Sequence, residues 1–185
     1  VVSKIENDCR DLHISGEPGI GKEHFLDEIE NDLSENTTVI RIRARSHLPV
    51  DKLHRDLLHR AREQASYLKS KSNSAVAGSL SVGPVGGGGV SFDDRVRDIR
   101  KLEKLLEDWS SPLLVIIEDV HKVGESEAKT KDIIREIAEA LPETASLVAS
   151  GRISGVPDVE EIHLTLFTLE QTKIFLKQKF EQIDE

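Results

Sequence analysis

The chain has 185 residues, 37% of them apolar and 4% aromatic, with one cysteine and a formal net charge of −9. That length and composition fit one domain with a sizeable core, and the acidic balance excludes an overall basic footprint for nucleic acid or an anionic membrane surface. The single cysteine, Cys9, excludes an internal disulfide and points to a reducing, cytoplasmic setting, and no apolar run approaches the ~20 residues of a membrane span.

Residues 1–10 are polar and read as a lead-in, with room for a short helix. Asp11–Ser15 is the predicted first strand. It runs into Gly16-Glu17-Pro18-Gly19-Ile20-Gly21-Lys22-Glu23, which opens a helical pattern from Glu23 to Leu33 with Phe25, Leu26, Ile29 and Leu33 at helical spacing. Strand, glycine-rich loop, helix is the context that a phosphate-binding loop requires. The glycines let backbone N–H groups turn inward, and the helix start adds unpaired N–H groups and a partial positive charge. Lys22 supplies a mobile cation for outer phosphates.

We therefore read Gly16, Glu17, Pro18, Gly19, Ile20, Gly21, Lys22, Glu23 and His24 as a nucleoside-triphosphate site. The plain alternative is a glycine turn that binds nothing; the lysine and the flanks favour phosphate. The spacing G-x-x-x-x-G-K is matched in full, but Glu23 stands where a Ser or Thr hydroxyl ligates Mg²⁺. A carboxylate there can hold Mg²⁺, yet it adds negative charge beside a polyphosphate. Binding is thus a firmer expectation than hydrolysis, which relies on the metal to neutralise the transferring group.

After a turn at Asn36-Thr37-Thr38, Val39 to Arg45 alternates, with Ile40, Ile42 and Ala44 on one side and Arg41, Arg43 and Arg45 on the other. This period of two predicts a strand with a charged margin. Edge protection or pairing with acidic helices accounts for the arginines; a polyanion contact is the sharper alternative. Pro49 and Asp51 begin a predicted helix to about Lys69, with Leu53, Leu57, Leu58, Ala61, Ala65 and Leu68 inward. His47, His54 and His59 lie near it at poor spacing for a shared metal and read as solvated.

Residues 70–92, with four glycines at Gly86–Gly89, read as a flexible insertion rather than a second phosphate loop, because no lysine follows. Asp93 is the predicted cap of a helix carrying Val96, Ile99, Leu102, Leu105, Leu106 and Trp109. Leu113 to Ile117 is apolar on both faces, as a central parallel strand covered by helices must be. Lys131 to Leu141 reads as a helix, Ala145 to Ser150 as a buried strand, Glu161 to Leu166 as a last strand and Leu169 to Ile183 as a final helix.

Alternating strands and helices point to an α/β architecture with a parallel sheet and helices on both faces, the ligand lying at the carboxyl ends of the strands. The chemistry is then expected at residues 16–23, 118–121 and 150–152. Glu118 continues the apolar run and takes the metal-side position, while Asp119 takes the water-side position, able to orient or deprotonate an attacking water. Arg152 is placed to stabilise charge on a γ-phosphate; an ordinary surface arginine is the equal alternative. His121 is read as packing near the acidic pair or as a plain loop histidine.

Two stretches, Gly16-Glu17-Pro18-Gly19-Ile20-Gly21-Lys22 and Pro112-Leu113-Leu114-Val115-Ile116-Ile117-Glu118-Asp119-Val120-His121, resemble the P-loop ATPases of the AAA-related STAND type, close to the initiator ATPases of DNA replication. The resemblance implies a three-layer P-loop NTPase with a mainly parallel five-stranded sheet of order 5-1-4-3-2, the arginine strand at the edge, and ATP with Mg²⁺ as cofactors. It implies a core over residues 1–166 and the start of a truncated helical lid at 167–185. It assigns catalytic roles to Lys22, Asp119, Glu118 and Arg152 and metal contacts to Glu23 and Glu118. Glu23 and Glu118 depart from the family's hydroxyl and aspartate, which implies slow turnover or none.

The function expected is an ATP-binding switch module. Its partners are expected to be nucleotide together with self-association or effector domains elsewhere in a longer protein, since the chain starts without Met and ends inside a helical pattern. The alternatives are a DNA-handling ATPase of the initiator kind and an interaction module whose nucleotide site has decayed. Nucleic acid is not indicated, and no membrane contact is expected.

Overall fold

A computed structural model describes Ile5 and residues 11–33, 35–45, 48–71, 92–107, 109 and 111–166. The predicted lead-in helix, Cys9, His47, residues 72–91 of the glycine-rich insertion, the final helix and the lid start at 167–185 lie outside the described residues.

Strand β1 (Leu12–Gly16) is followed by helix α1 (Lys22–Asp32) and strand β2 (Thr38–Arg43). Helices α2 (Val50–Lys71) and α3 (Phe92–Leu106) precede strand β3 (Leu113–Glu118) and a single 3-10 turn at Val120–Lys122. Helix α4 (Glu127–Ala140), strand β4 (Ala145–Gly151) and strand β5 (Glu160–Leu164) complete the described chain. The five strands form one sheet in the order β2-β3-β4-β1-β5, with every neighbouring pair parallel. This is the expected order, with β2 at one edge. Parallel pairing sends all the carboxyl ends to one rim, so loops far apart in sequence meet there.

The side-chain alternation of the central strands builds two cores. Leu12, Ile14, Leu114, Ile116 and Val148 pack with Leu26 and Ile29 of α1. Leu113, Val115, Ile117, Leu147 and Ala149 pack on the opposite face with apolar residues of α2, α3 and α4. All six residues of β3 are buried, which explains why that strand carries no polar face until its last residue. Helices thus cover both faces in three layers.

Several local expectations shift. Helix α4 starts at Glu127, four residues before the predicted Lys131, because the Ser126 hydroxyl accepts from the Lys129 amide at 3.3 Å and caps it. Helix α3 starts at Phe92, so Asp93 lies in its first turn rather than at the cap, and Trp109 falls beyond the helix end, buried in the turn after Leu106. Helix α2 runs on to Lys71, and β5 ends at Leu164, leaving Leu166 exposed.

His54 is fully buried, not solvated. The reason is that α2 is packed against the sheet on one side and α3 on the other, which widens its buried stripe to Leu53, His54, Leu57, Leu58 and Ala61. His59 is on the exposed side, 3.5 Å from Glu63.

The central strand is the element that two layers depend on. Ile116→Ala is expected to lower the unfolding free energy by about 2–5 kcal/mol, read from urea denaturation. An equal midpoint in variant and wild type would contradict the burial.

Candidate functional site

Three strand ends, those of β3, β4 and β1, lie side by side at the carboxyl rim of the sheet. The loop after β1 is the first component. Gly16 ends the strand pressed against its neighbour: a Cβ there would sit 2.8 Å from the Leu164 carbonyl oxygen of β5. Gly21 is the N-cap of α1 with φ 99°, a left-handed conformation that a side chain would strain. Between them the chain turns with the Ile20 amide donating to the Glu17 carbonyl at 3.3 Å.

The first intrahelical bond of α1 runs from the Phe25 amide to the Gly21 carbonyl at 2.9 Å. No described backbone carbonyl accepts from the amides of Lys22, Glu23 or His24, so the helix start presents unpaired donors and the positive end of its dipole. Lys22 Nζ donates to the carbonyls of Gly16 at 2.7 Å and Glu17 at 2.8 Å, drawing the ammonium over the loop. Burial pushes the Lys22 ammonium down from its ordinary value and the nearby Arg152 charge pushes it further, against Asp119, Glu17 and Glu23. Lys22, Asp119 and Arg152, at three strand ends of one rim, are thus near enough for their charges to act on one another. Arg152 itself is exposed and makes no ion pair with any described residue.

The acidic tip of β3 is the second component. Glu118 is nearly buried, and Asp119 adopts a left-handed φ of 57° as β3 turns into the 3-10 turn. Instead of capping that turn, the Asp119 carboxylate accepts from Lys122 Nζ at 2.6 Å and from Arg43 Nε at 3.4 Å. Burial pushes the Asp119 carboxyl up, but the Lys122 hydrogen bond and charge, then Arg43 and His121, outweigh it and hold the group below the ordinary range. A carboxylate so stabilised is a weaker base. His121 is half-buried, and burial together with the Arg152 charge pushes its imidazole down, toward the neutral form.

The third component was not anticipated as part of the site. Register pairs Arg43 of β2 with Glu118 of β3, so the arginine edge strand ends beside the acidic tip. Arg41 Nε donates to Glu118 Oε1 at 2.6 Å, and its Nη1 to Asp27 at 2.6 Å and Glu30 at 2.9 Å on α1. Arg43 Nη2 donates to Glu23. The expected pairing with an acidic helix is therefore present, and it involves the two carboxylates expected to face a metal. The alternation Arg41-Ile42-Arg43 was the sequence signal, but only strand register tells which acids it meets. Lys122 is a second addition.

The donors present do not fit Mg²⁺. Glu23 is bonded to Arg43, Glu118 to Arg41 and Asp119 to Lys122, so a divalent ion would meet three carboxylates that each already hold a fixed cation. Among the described residues no group of three or more His, Cys, Asp or Glu side chains is arranged to hold a metal ion. The side chain of His24 lies outside the cluster, 3.8 Å from Glu28 along α1; only its amide belongs to the helix start. No described helix is long and apolar enough to cross a membrane.

Below the loop, Ser15 ties β1 to β5: its hydroxyl donates to Glu161 at 2.5 Å and lies 2.8 Å from His163 Nδ1. His13 is fully buried on the same strand, and burial holds its imidazole below its ordinary value, with Glu161 opposing and Lys131 reinforcing.

No family model matches the chain, and its sequence matches no curated protein. Its fold is similar to Cdc6p from Pyrobaculum aerophilum, with a TM-score of 0.56 and 14% identity over 95% of this chain and 45% of that one. It is also similar to a chain in the structure of Drosophila ORC bound to AT-rich DNA and Cdc6, with a TM-score of 0.54 and 13% identity over 91% of this chain and 54% of that one. The chain thus spans about half the length of these proteins. At such identities the likeness carries the P-loop NTPase fold.

The depressed His13 makes the fold sensitive to mild acid. Below about pH 6.5 the unfolded chain takes up a proton at this position that the folded chain refuses, so stability falls as pH drops. Urea midpoints measured near neutrality and at mildly acidic pH are expected to fall more in wild type than in His13→Leu; equal losses would contradict the assignment.

Proposed function

We propose that the chain is an ATP-binding regulatory module that acts as a nucleotide-dependent switch within a longer protein. The observation that supports this most is the convergence of unpaired α1 amides, Lys22 and Arg152 beside the tip of β3. In this reading the amides from Gly19 to His24 take the phosphates and Lys22 leaves its carbonyls for the outer ones. Arg152 meets the terminal phosphate from the end of β4, and Asp119 stands toward an attacking water. The chain's own pairing of Asp119 with Lys122 and Arg43 makes hydrolysis slow or absent, so the bound state, rather than turnover, is the signal. Closure over the site would bias self-association or an effector domain elsewhere in the protein.

A second reading, a DNA-handling ATPase of the initiator kind, is favoured by the likeness to the fold of Cdc6p. The net charge of −9 speaks against a broad DNA-binding face in this segment. Duplex DNA affinity that rises steeply as salt is lowered would support that reading.

Lys22→Ala is expected to weaken ATP binding by about tenfold or more, equivalent to ~1.4 kcal/mol, in a titration with a fluorescent ATP analogue. Far-UV circular dichroism should be unchanged. Equal, weak binding by wild type and variant would mean a decayed site.

A further inference from the structure

A cluster of three carboxylates and three cations occupies the place where a phosphate loop ordinarily gathers a metal: Glu23, Glu118 and Asp119 with Arg41, Arg43 and Lys122. The members come from α1, β2, β3 and the 3-10 turn, and β2–β3 register brings them together. Arg43 is the member that bridges. Its guanidinium donates to Glu23 at the helix start and to Asp119, next to Glu118 at the strand tip, and so spans the gap between the two elements expected to share a divalent ion. The charges at Glu23 raise the Arg43 guanidinium further above its ordinary value, ahead of those at Asp119 and Glu118, so it stays cationic at any working pH.

We propose that Arg43 takes the electrostatic role of the divalent metal, so that this site binds a nucleoside triphosphate without Mg²⁺. The inference rests on the nucleotide-binding reading above. Its physical basis is the acid at position 23. A free carboxylate on the second residue of α1 would repel a polyphosphate bound at the same helix start. Arg43 cancels that charge and fixes a cation beside it, while its Nη1 has no acceptor among the described residues and keeps two N–H donors for a phosphate oxygen. A guanidinium is suited to this because its planar fork serves two acids at once and cannot lose its proton. Arg41 secures the arrangement from behind by holding Glu118 against α1 through Asp27 and Glu30. Glu23, Glu118 and Asp119 each already carry a fixed cation partner, which weakens the pull of the three acids on an added Mg²⁺.

The test is the affinity of wild-type protein for an ATP analogue in excess EDTA and in excess Mg²⁺, together with Arg43→Ala and the double variant Glu23→Thr/Arg43→Ala. Wild type is expected to bind with affinities within about threefold in the two conditions. Arg43→Ala is expected to lose about tenfold or more in EDTA. The double variant, with a hydroxyl restored and the arginine removed, is expected to bind appreciably only with Mg²⁺. Wild-type binding that is present in Mg²⁺ and lost in EDTA overturns this inference and leaves the nucleotide site standing. Absence of binding in both conditions overturns the nucleotide reading itself. The wild-type comparison decides the matter even where a variant fails to fold.

Discussion

An acid on the second residue of α1 imposes a constraint on everything around it. The helix start and the loop gather positive potential for an anion, and Glu23 places a negative charge within that field. The fold meets the constraint from a distance in sequence. Arg43, at the end of the edge strand, reaches Glu23, and the same guanidinium touches Asp119. The acids at the rim of the sheet are therefore each paired with a cation, whereas Arg152 makes no ion pair with any described residue.

The scaffold that makes this possible is a parallel sheet buried on both faces. Parallel strands place β1, β3 and β4 with their loops on one rim, and β2 stands next to β3 in a register that sets Arg41 opposite Ile116 and Arg43 opposite Glu118. Alternation then sends Ile40 and Ile42 into the core shared with α2 and α3. It sends Arg41 and Arg43 toward α1 and its acids, Glu23, Asp27 and Glu30. A shift of one residue would bury the arginines and scatter the pairs, so the register of an edge strand is coupled directly to the electrostatics of the site.

Much of this was legible in the sequence. The strand–helix alternation led to a parallel sheet with Lys22, Glu118, Asp119 and Arg152 at one rim, and the family resemblance carried by the phosphate-loop spacing and the apolar run closing on Glu118 and Asp119 implied the observed sheet order. What escaped was whatever depends on partners distant in sequence. The arginines read correctly as partners for acidic groups, but which acids they meet follows from register, which period-two alternation does not specify. His54 read as solvated because its helix was judged alone, whereas α3 packs over it. The Ser126 cap was local and readable, yet the apolar spacing of α4 drew attention to later residues. Glu23 read as a metal contact from its position in the loop; its ion pair with Arg43 depends on where the edge strand ends and was not readable there.

Nucleotide binding at this rim depends on the backbone amides between β1 and α1 taking a triphosphate. Amide chemical shifts of an isotope-labelled sample, followed as ATP is added, test it most directly. Saturable shifts are expected to concentrate at Gly19 to His24, with smaller ones at Asp119 and Arg152. Shifts that leave Gly19 to His24 unmoved while other regions respond would contradict it.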